Sequence, residues 1–136
     1  MKVECELYDR GKHYGMIALW WRRHGAEAMP AVVLGFGVIV KIDDVPRAAV
    51  FGYLDQFSGA MGMIEFAVTN PGNKPKQSVL ALKTAVECAT ELLIKRGAVC
   101  VMSFFENAGL NRLVGSLKFF ENERNITSMI YLKENR

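Results

Sequence analysis

The chain has 136 residues, enough for one domain spanning 1–136 and too few for two of ordinary size. Half of it is apolar (51%) and 23% is charged, so a real core is available and a disordered, highly charged chain is excluded. The formal net charge of +3 is too small for a nucleic-acid footprint, yet it suits an anionic ligand wherever a few lysines gather.

Residues 2–8 alternate weakly and predict a first strand. Asp9 or Arg10 opens a helix to Arg23, on which Tyr14, Ile17, Ala18 and Trp21 recur at helical spacing. Arg22, Arg23 and His24 suit the negative end of its dipole, and Gly25 closes it. Residues 32–42 are rich in β-branched side chains and read as a strand, with Gly35 and Gly37 marking a bulge or a close approach by another group. Asp43 and Asp44 supply a turn into a strand over 47–55. A second turn at Ser58 and Gly59 leads to a third strand over 60–69.

A dense cluster of turn residues follows at 70–75, then a helix over 76–96. Val79, Leu82, Val86, Ala89 and Leu93 form its expected apolar stripe. Lys83, Glu87, Glu91 and Lys95 take the other face, with Glu91 and Lys95 spaced for an i,i+4 pair. Residues 98–104 are nearly all apolar, as for a strand covered on both faces. A short helix over 107–117 and strands over 118–120 and 126–133, joined by a turn at 121–125, complete the chain. The fold class is therefore α+β, with a mixed, mostly antiparallel central sheet flanked by helices. Its strand–helix–strand unit over 61–104 implies a crossover with parallel strands. Edge strands in the terminal hairpin leave room for a homodimer.

The three cysteines, Cys5, Cys88 and Cys100, show no metal spacing and read as free thiols of a reducing cytoplasm, Cys88 and Cys100 in the core. No metal site is expected. The N-terminal segment lacks the apolar region of a signal peptide. The longest apolar run, 29–40, is shorter than the roughly 20 residues that span a bilayer, so a cytoplasmic chain without a membrane partner is expected.

The loop at 70–78 sets backbone N–H groups and a positive helix end beside the carboxyl end of a strand, an arrangement that attracts phosphate, and Lys74 and Lys76 add charge. Here the sequence resembles the GNAT superfamily of acyl-CoA-dependent N-acyltransferases over most of its length. Two segments carry the likeness. Residues 63–71, with Val68 and Pro71, look like the family's fourth strand and the turn after it. The run from Asn107 to Phe119 looks like its Asn-led helix. The layout, with Trp20, Trp21 and His24 in the first helix, also resembles short GNAT-like proteins of bacteriophages, which would put the chain in a host cytoplasm.

The resemblance implies acetyl-CoA or another acyl-CoA as cofactor and an amine acceptor on a small molecule or a protein; the mild charge leaves no nucleic-acid partner expected. It implies that the backbone at Ala67 and Val68 pairs with the pantetheine arm. Lys74, Lys76, Gln77 and Ser78 would hold the pyrophosphate, and Asn107 would contact the cofactor or orient its helix. Trp20, Trp21 and His24 would face the acceptor; because consecutive helical residues point apart, one tryptophan is expected in the core and the other exposed or at an interface. Glu65 would be the base, needing burial to raise its pKa. His24 and His13 are further groups able to titrate near neutrality. Each has a structural alternative: a solvent-facing strand position for Glu65, a helix end for His24, a solvated loop for the lysines, an N-cap for Asn107.

The phosphate loop carries no glycine where the family has one, and Val114 stands at the family's tyrosine. The second reading is therefore a catalytically degenerate GNAT-fold protein that binds a host or virion protein.

Overall fold

The structure is a computed structural model that describes residues 1–104, 112, 116–117, 120–123 and 128–132. Its strands are β1 (Val3–Leu7), β2 (Phe36–Ile42), β3 (Val45–Leu54), β4 (Met61–Thr69), β5 (Cys100–Phe104), β6 (Phe120–Glu123) and β7 (Ser128–Leu132). Among the described residues they form one seven-stranded sheet in the order β1-β2-β3-β4-β5-β7-β6. Every pairing is antiparallel except β4 with β5. Helix α1 (Arg10–Arg23) follows β1, and α2 (Pro75–Lys95) makes the crossover between the two parallel strands.

Alternation along the strands divides the core in two. Val38, Val40 and Ile42 of β2, with Val50 and Ile64, pack under α2. Ile39, Ala49, Phe51 and Val68 point the other way, onto Ile17, Trp20 and Trp21 of α1. The β2–β3 turn uses Asp43 and Asp44 at φ 49° and 68°, the left-handed pair that a two-residue hairpin needs and that aspartate tolerates. Asp43 also ties down the start of β1: its carboxylate accepts the Lys2 N–H and its own N–H donates to the Lys2 carbonyl, both at 2.8 Å.

The structure departs from the sequence expectations at several elements. The strand expected from residue 32 starts at Phe36, after a 3-10 turn at Ala31–Val33 that begins with Val33 N–H donating to the Pro30 carbonyl. On α2 the buried line is Ala81, Ala85, Val86, Ala89 and Leu93, whereas Val79 is exposed. Alanines at i, i+4 and i+8 let the helix backbone come close to the sheet, and this closeness outranks side-chain size. The polar residues Glu121 and Glu123, expected in a turn, belong to β6, an edge strand where charge is tolerated. The expected helix over 107–117 lies largely outside the described residues. Cys5 and Cys88 are not free thiols: they form a disulfide between β1 and α2, brought together by strand pairing and helix docking that no local spacing announces.

Gly37 meets the expected close approach, while Gly35 faces open space. A Cβ at Gly37 would lie 2.6 Å from Phe51 Cδ1 and 2.8 Å from the Val50 carbonyl oxygen, both immobile core atoms. Gly37→Ala should lower stability by about 1–3 kcal/mol in chemical denaturation, as overpacking does.

On the α1 side, Glu6 gathers Lys12, Lys41 at 2.9 Å and the buried His13 at 3.2 Å. His13 Nδ1 accepts the Asp9 N–H at 2.9 Å, so its proton is on Nε2, facing Glu6. Hydrogen bonds from Lys12 and then Lys41 lower the Glu6 pKa from 4.5 to about 2. A depressed carboxylate pKa contributes stability above the unfolded value and loses it as pH falls through the folded one. Stability measured by denaturant titration should therefore fall between pH 4.5 and about 2, and Glu6→Gln should flatten that part of the profile.

Candidate functional site

The parallel ladder between β4 and β5 is short, from Met61↔Cys100 to Ile64↔Ser103. Beyond Ile64, among the described residues, β4 pairs only with β3, and its other edge is open. The break coincides with a bulge. Glu65 stands opposite Phe51 and Val68 opposite Ala49, so β4 carries one residue more than β3 in this interval. Phe66 takes up the excess at φ 58°, a conformation that bulky residues rarely adopt. Farther along, Asn70 N–H donates to the Arg47 carbonyl at 2.9 Å. By the alternation of an antiparallel ladder, Val68 then turns its backbone groups to β3 and alternate residues turn theirs to the open edge.

Glu65 lies on the α1 side, half-buried where the open edge begins, and burial raises its carboxyl pKa above the ordinary value. Tyr53 is its neighbour. Burial first, and the Glu65 charge second, push the Tyr53 phenol up to about 12. Its hydroxyl donates to the Val33 carbonyl at 2.7 Å, so Tyr53 holds the 3-10 turn against the end of β3. Phe66 meets Tyr53 edge-on, ring centroids 6.1 Å apart, and closes this corner with an apolar wall.

The other expected site residues fall into separate groups. Trp20 and Trp21 are both buried, at 5% and 8% exposure, so neither is the exposed one of the two that helix geometry suggested. Leu34, with Ala28 and Met29 from the segment after α1, packs in the same cluster as both indoles. His24 caps the C-terminus of α1, and its Nε2–H donates to the Thr69 carbonyl at 2.8 Å. It thereby anchors the end of β4, away from Glu65. Ala67 and Val68 lie on β4 just past the bulge, and Lys74, Lys76, Gln77 and Ser78 surround the start of α2. Asn107 lies outside the described residues.

The 70–78 loop is braced from within. Asn70 Oδ1 accepts the Gly72 N–H, and the Gln77 carboxamide accepts the Lys74 N–H, at 2.9 and 2.8 Å. Lysine has no acceptor atom, so only this half of a capping box is made. Asn73 N–H donates to the Asn70 carbonyl, and Ser78 N–H to the Lys74 carbonyl. Pro75 removes a further donor. Of the loop's backbone donors only the Lys76 N–H stays without a described partner, and with the ammonium groups of Lys74 and Lys76, Gln77 Nε2 and the Ser78 hydroxyl it is left for an anion.

Sequence reasoning missed the residues that hold this loop. Asn73 receives Arg47 Nη1 at 3.2 Å and donates through Nδ2 to the Arg47 carbonyl at 2.8 Å and to Ser78 Oγ at 3.1 Å. The only available signal was that Asn73 sits three residues past Asn70 in a turn cluster. Its partner Arg47 is 26 residues away, at a bulge where β2 and β3 shift register.

Neither a protein-family model nor a curated protein matches this sequence. Solved structures do. The acetyltransferase of the GNAT family from Streptococcus pneumoniae superposes with a TM-score of 0.70 at 11% identity, over 96% of this chain and 99% of that one. The fold is that of the GNAT acetyltransferases. The ribosomal-protein-S18-alanine N-acetyltransferase of Escherichia coli gives a TM-score of 0.71 at 14% identity, covering 99% of both chains. The structure of yncA from Salmonella typhimurium with its cofactor acetyl-CoA gives 0.74 at 11% identity, over 98% and 95%. At such identities the likeness is one of GNAT fold, and individual residue roles rest on this chain's own geometry.

Asn73→Ala removes three side-chain hydrogen bonds at once. It should cost about 1–2 kcal/mol and speed amide exchange selectively over residues 70–78, read by hydrogen–deuterium exchange.

Proposed function

We propose that the protein is an N-acyltransferase that moves an acetyl or similar acyl group from acyl-CoA to an amine on a small molecule or a protein. The observation that carries this reading is the open edge of β4 beside the bulge at Phe66, with a half-buried carboxylate at its start. That edge fits an extended, amide-bearing pantetheine arm, held by the backbone of Ala67, while Val68, whose own backbone groups face β3, fixes the strand beside it. Lys74 and Lys76, with Gln77 and Ser78 beside them, fit the phosphates at the positive end of α2. Asn107 is proposed as a further cofactor contact. Acyl-CoA would supply a thioester carbon open to attack by an amine.

Glu65 is the proposed base. Its raised pKa makes it a stronger proton acceptor than an ordinary carboxylate, suited to taking the proton of an acceptor ammonium. Tyr53 keeps its proton at neutral pH and stays engaged with Val33. The acceptor would approach from the α1 side. There Phe66 and Tyr53 wall off water, and the buried Trp20 and Trp21 act by setting the position of α1.

A second reading, a GNAT-fold protein that binds a host or virion protein without catalysis, is favoured by one feature. The 70–78 loop has spent most of its backbone donors internally.

Calorimetric titration with acetyl-CoA separates the two. The enzyme reading expects binding that weakens roughly tenfold when Lys74 and Lys76 become alanine. Absence of binding at millimolar cofactor would leave only the second reading. Glu65→Gln should leave binding intact and lower kcat by about 10²-fold. Activity requires deprotonated Glu65, so the rate should fall as pH drops through its raised pKa, and that limb should vanish in the glutamine variant.

A further inference from the structure

A solvent-open cavity of about 240 Å³ lies between β1 and α2, on the face of the sheet opposite Glu65. Leu7, Val38 and Leu92 give it an apolar floor. The Cys5–Cys88 disulfide lines it, with Cys5 exposed and Cys88 half-buried. Glu91 and Lys95 stand in the same lining, both exposed on the flank of α2. Their spacing suggests a pair, yet no ion pair joins them among the described residues, so one anion and one cation are left facing the opening. The molecule thus presents a reachable S–S bond, an apolar seat and two opposite charges in one recess.

We propose that this recess is a thiol-exchange site for a small zwitterionic thiol of the cysteine or glutathione kind. The ligand's carboxylate is taken at Lys95 and its ammonium at Glu91. Its thiolate attacks Cys5 Sγ, which belongs to the more exposed of the two residues. The S–S bond breaks as the new one forms, and the electron pair leaves on Cys88 Sγ, which takes a proton from water. Cys5 now carries the ligand in a mixed disulfide. A second thiolate attacks the ligand's sulfur, frees Cys5 as a thiolate and leaves as the small-molecule disulfide. Two thiols are oxidised for each protein disulfide reduced. The chemistry is independent of the proposed acyl transfer and sits on the other face of the sheet.

The test uses the full chain, purified without reductant and incubated with reduced glutathione. Alkylation and peptide mass spectrometry then locate each sulfur. The expected product is a glutathione adduct on Cys5 with Cys88 alkylated. The Glu91→Ala, Lys95→Ala double variant touches only exposed helix positions and should fold, as circular dichroism would verify. Its exchange with glutathione should slow roughly fivefold, as for loss of exposed charge contacts, while exchange with uncharged 2-mercaptoethanol stays unchanged. The proposal is overturned if Cys5 and Cys88 both alkylate before any reductant is added. An adduct confined to Cys88 overturns it too, as does a double variant that treats the two thiols alike.

Discussion

The left-handed backbone at Phe66 is the constraint on which the rest of this fold turns. Ile64 packs under α2 and Val68 packs under α1, although they are four residues apart and an unbroken strand would put both on one face. One inserted residue reverses the alternation. It lets a single strand belong to the α2-side core at its start and to the α1-side core at its end. The same insertion falls where β4 loses β5 as a described partner, so strand parting and face reversal occur together. A bulky residue in this conformation costs about 1–3 kcal/mol. Part is offset locally by the edge-on contact with Tyr53, a class of contact contributing about 0.5–1.5 kcal/mol. The remainder falls to the two cores, which fix the chain on either side of the bulge.

The same polar groups in the 70–78 loop serve shape and would be asked to serve binding. Asn70, Asn73 and Gln77 each satisfy backbone or side-chain partners, and the loop is held to the β3 bulge through Arg47. Where a glycine-rich loop would keep its N–H groups for a ligand, this one spends them on itself. Its capacity for an anion therefore rests on lysine charge and on the helix end, forces that act over distance and need less exact placement than a cradle of hydrogen bonds. Loop rigidity thus rests mainly on Asn70, Asn73 and Arg47 and anion attraction mainly on Lys74 and Lys76, while Gln77 and Ser78 are asked to serve both.

Much of this was legible in the sequence because it is local. The α1 start at Asp9, the aspartate turn at 43–44, the change from strand to helix at 70–75 and the closing glycines all express short-range chemistry. So did the place of Glu65 on a strand next to the crossover. What escaped depends on residues far apart. Both tryptophans are buried in one cluster with sheet residues and with Ala28, Met29 and Leu34 of the segment after α1. The Asn73–Arg47 brace spans 26 positions, and the Cys5–Cys88 bond spans 83. The Phe66 bulge left no mark because phenylalanine carries no turn preference; only the switch of face between Ile64 and Val68 encodes it.

The first strand shows how such information hides in plain composition. Among the described residues β1 pairs with β2 alone and forms one edge of the sheet. Its alternation gives a weak burial signal because its apolar positions, Val3, Cys5 and Leu7, stay exposed at the edge of the sheet. Glu4 and Glu6 turn toward lysines, with Glu6 also facing His13. Val3, Cys5 and Leu7 occupy the other set of positions, and Cys5 reaches α2 through its sulfur. An ionic cluster on one side and a covalent tie on the other do the work that two buried apolar faces do for β2. Charge along an exposed edge also discourages a foreign strand from pairing there. The weak pattern is therefore a mixed one, in which period two survives while the forces that enforce it change from face to face.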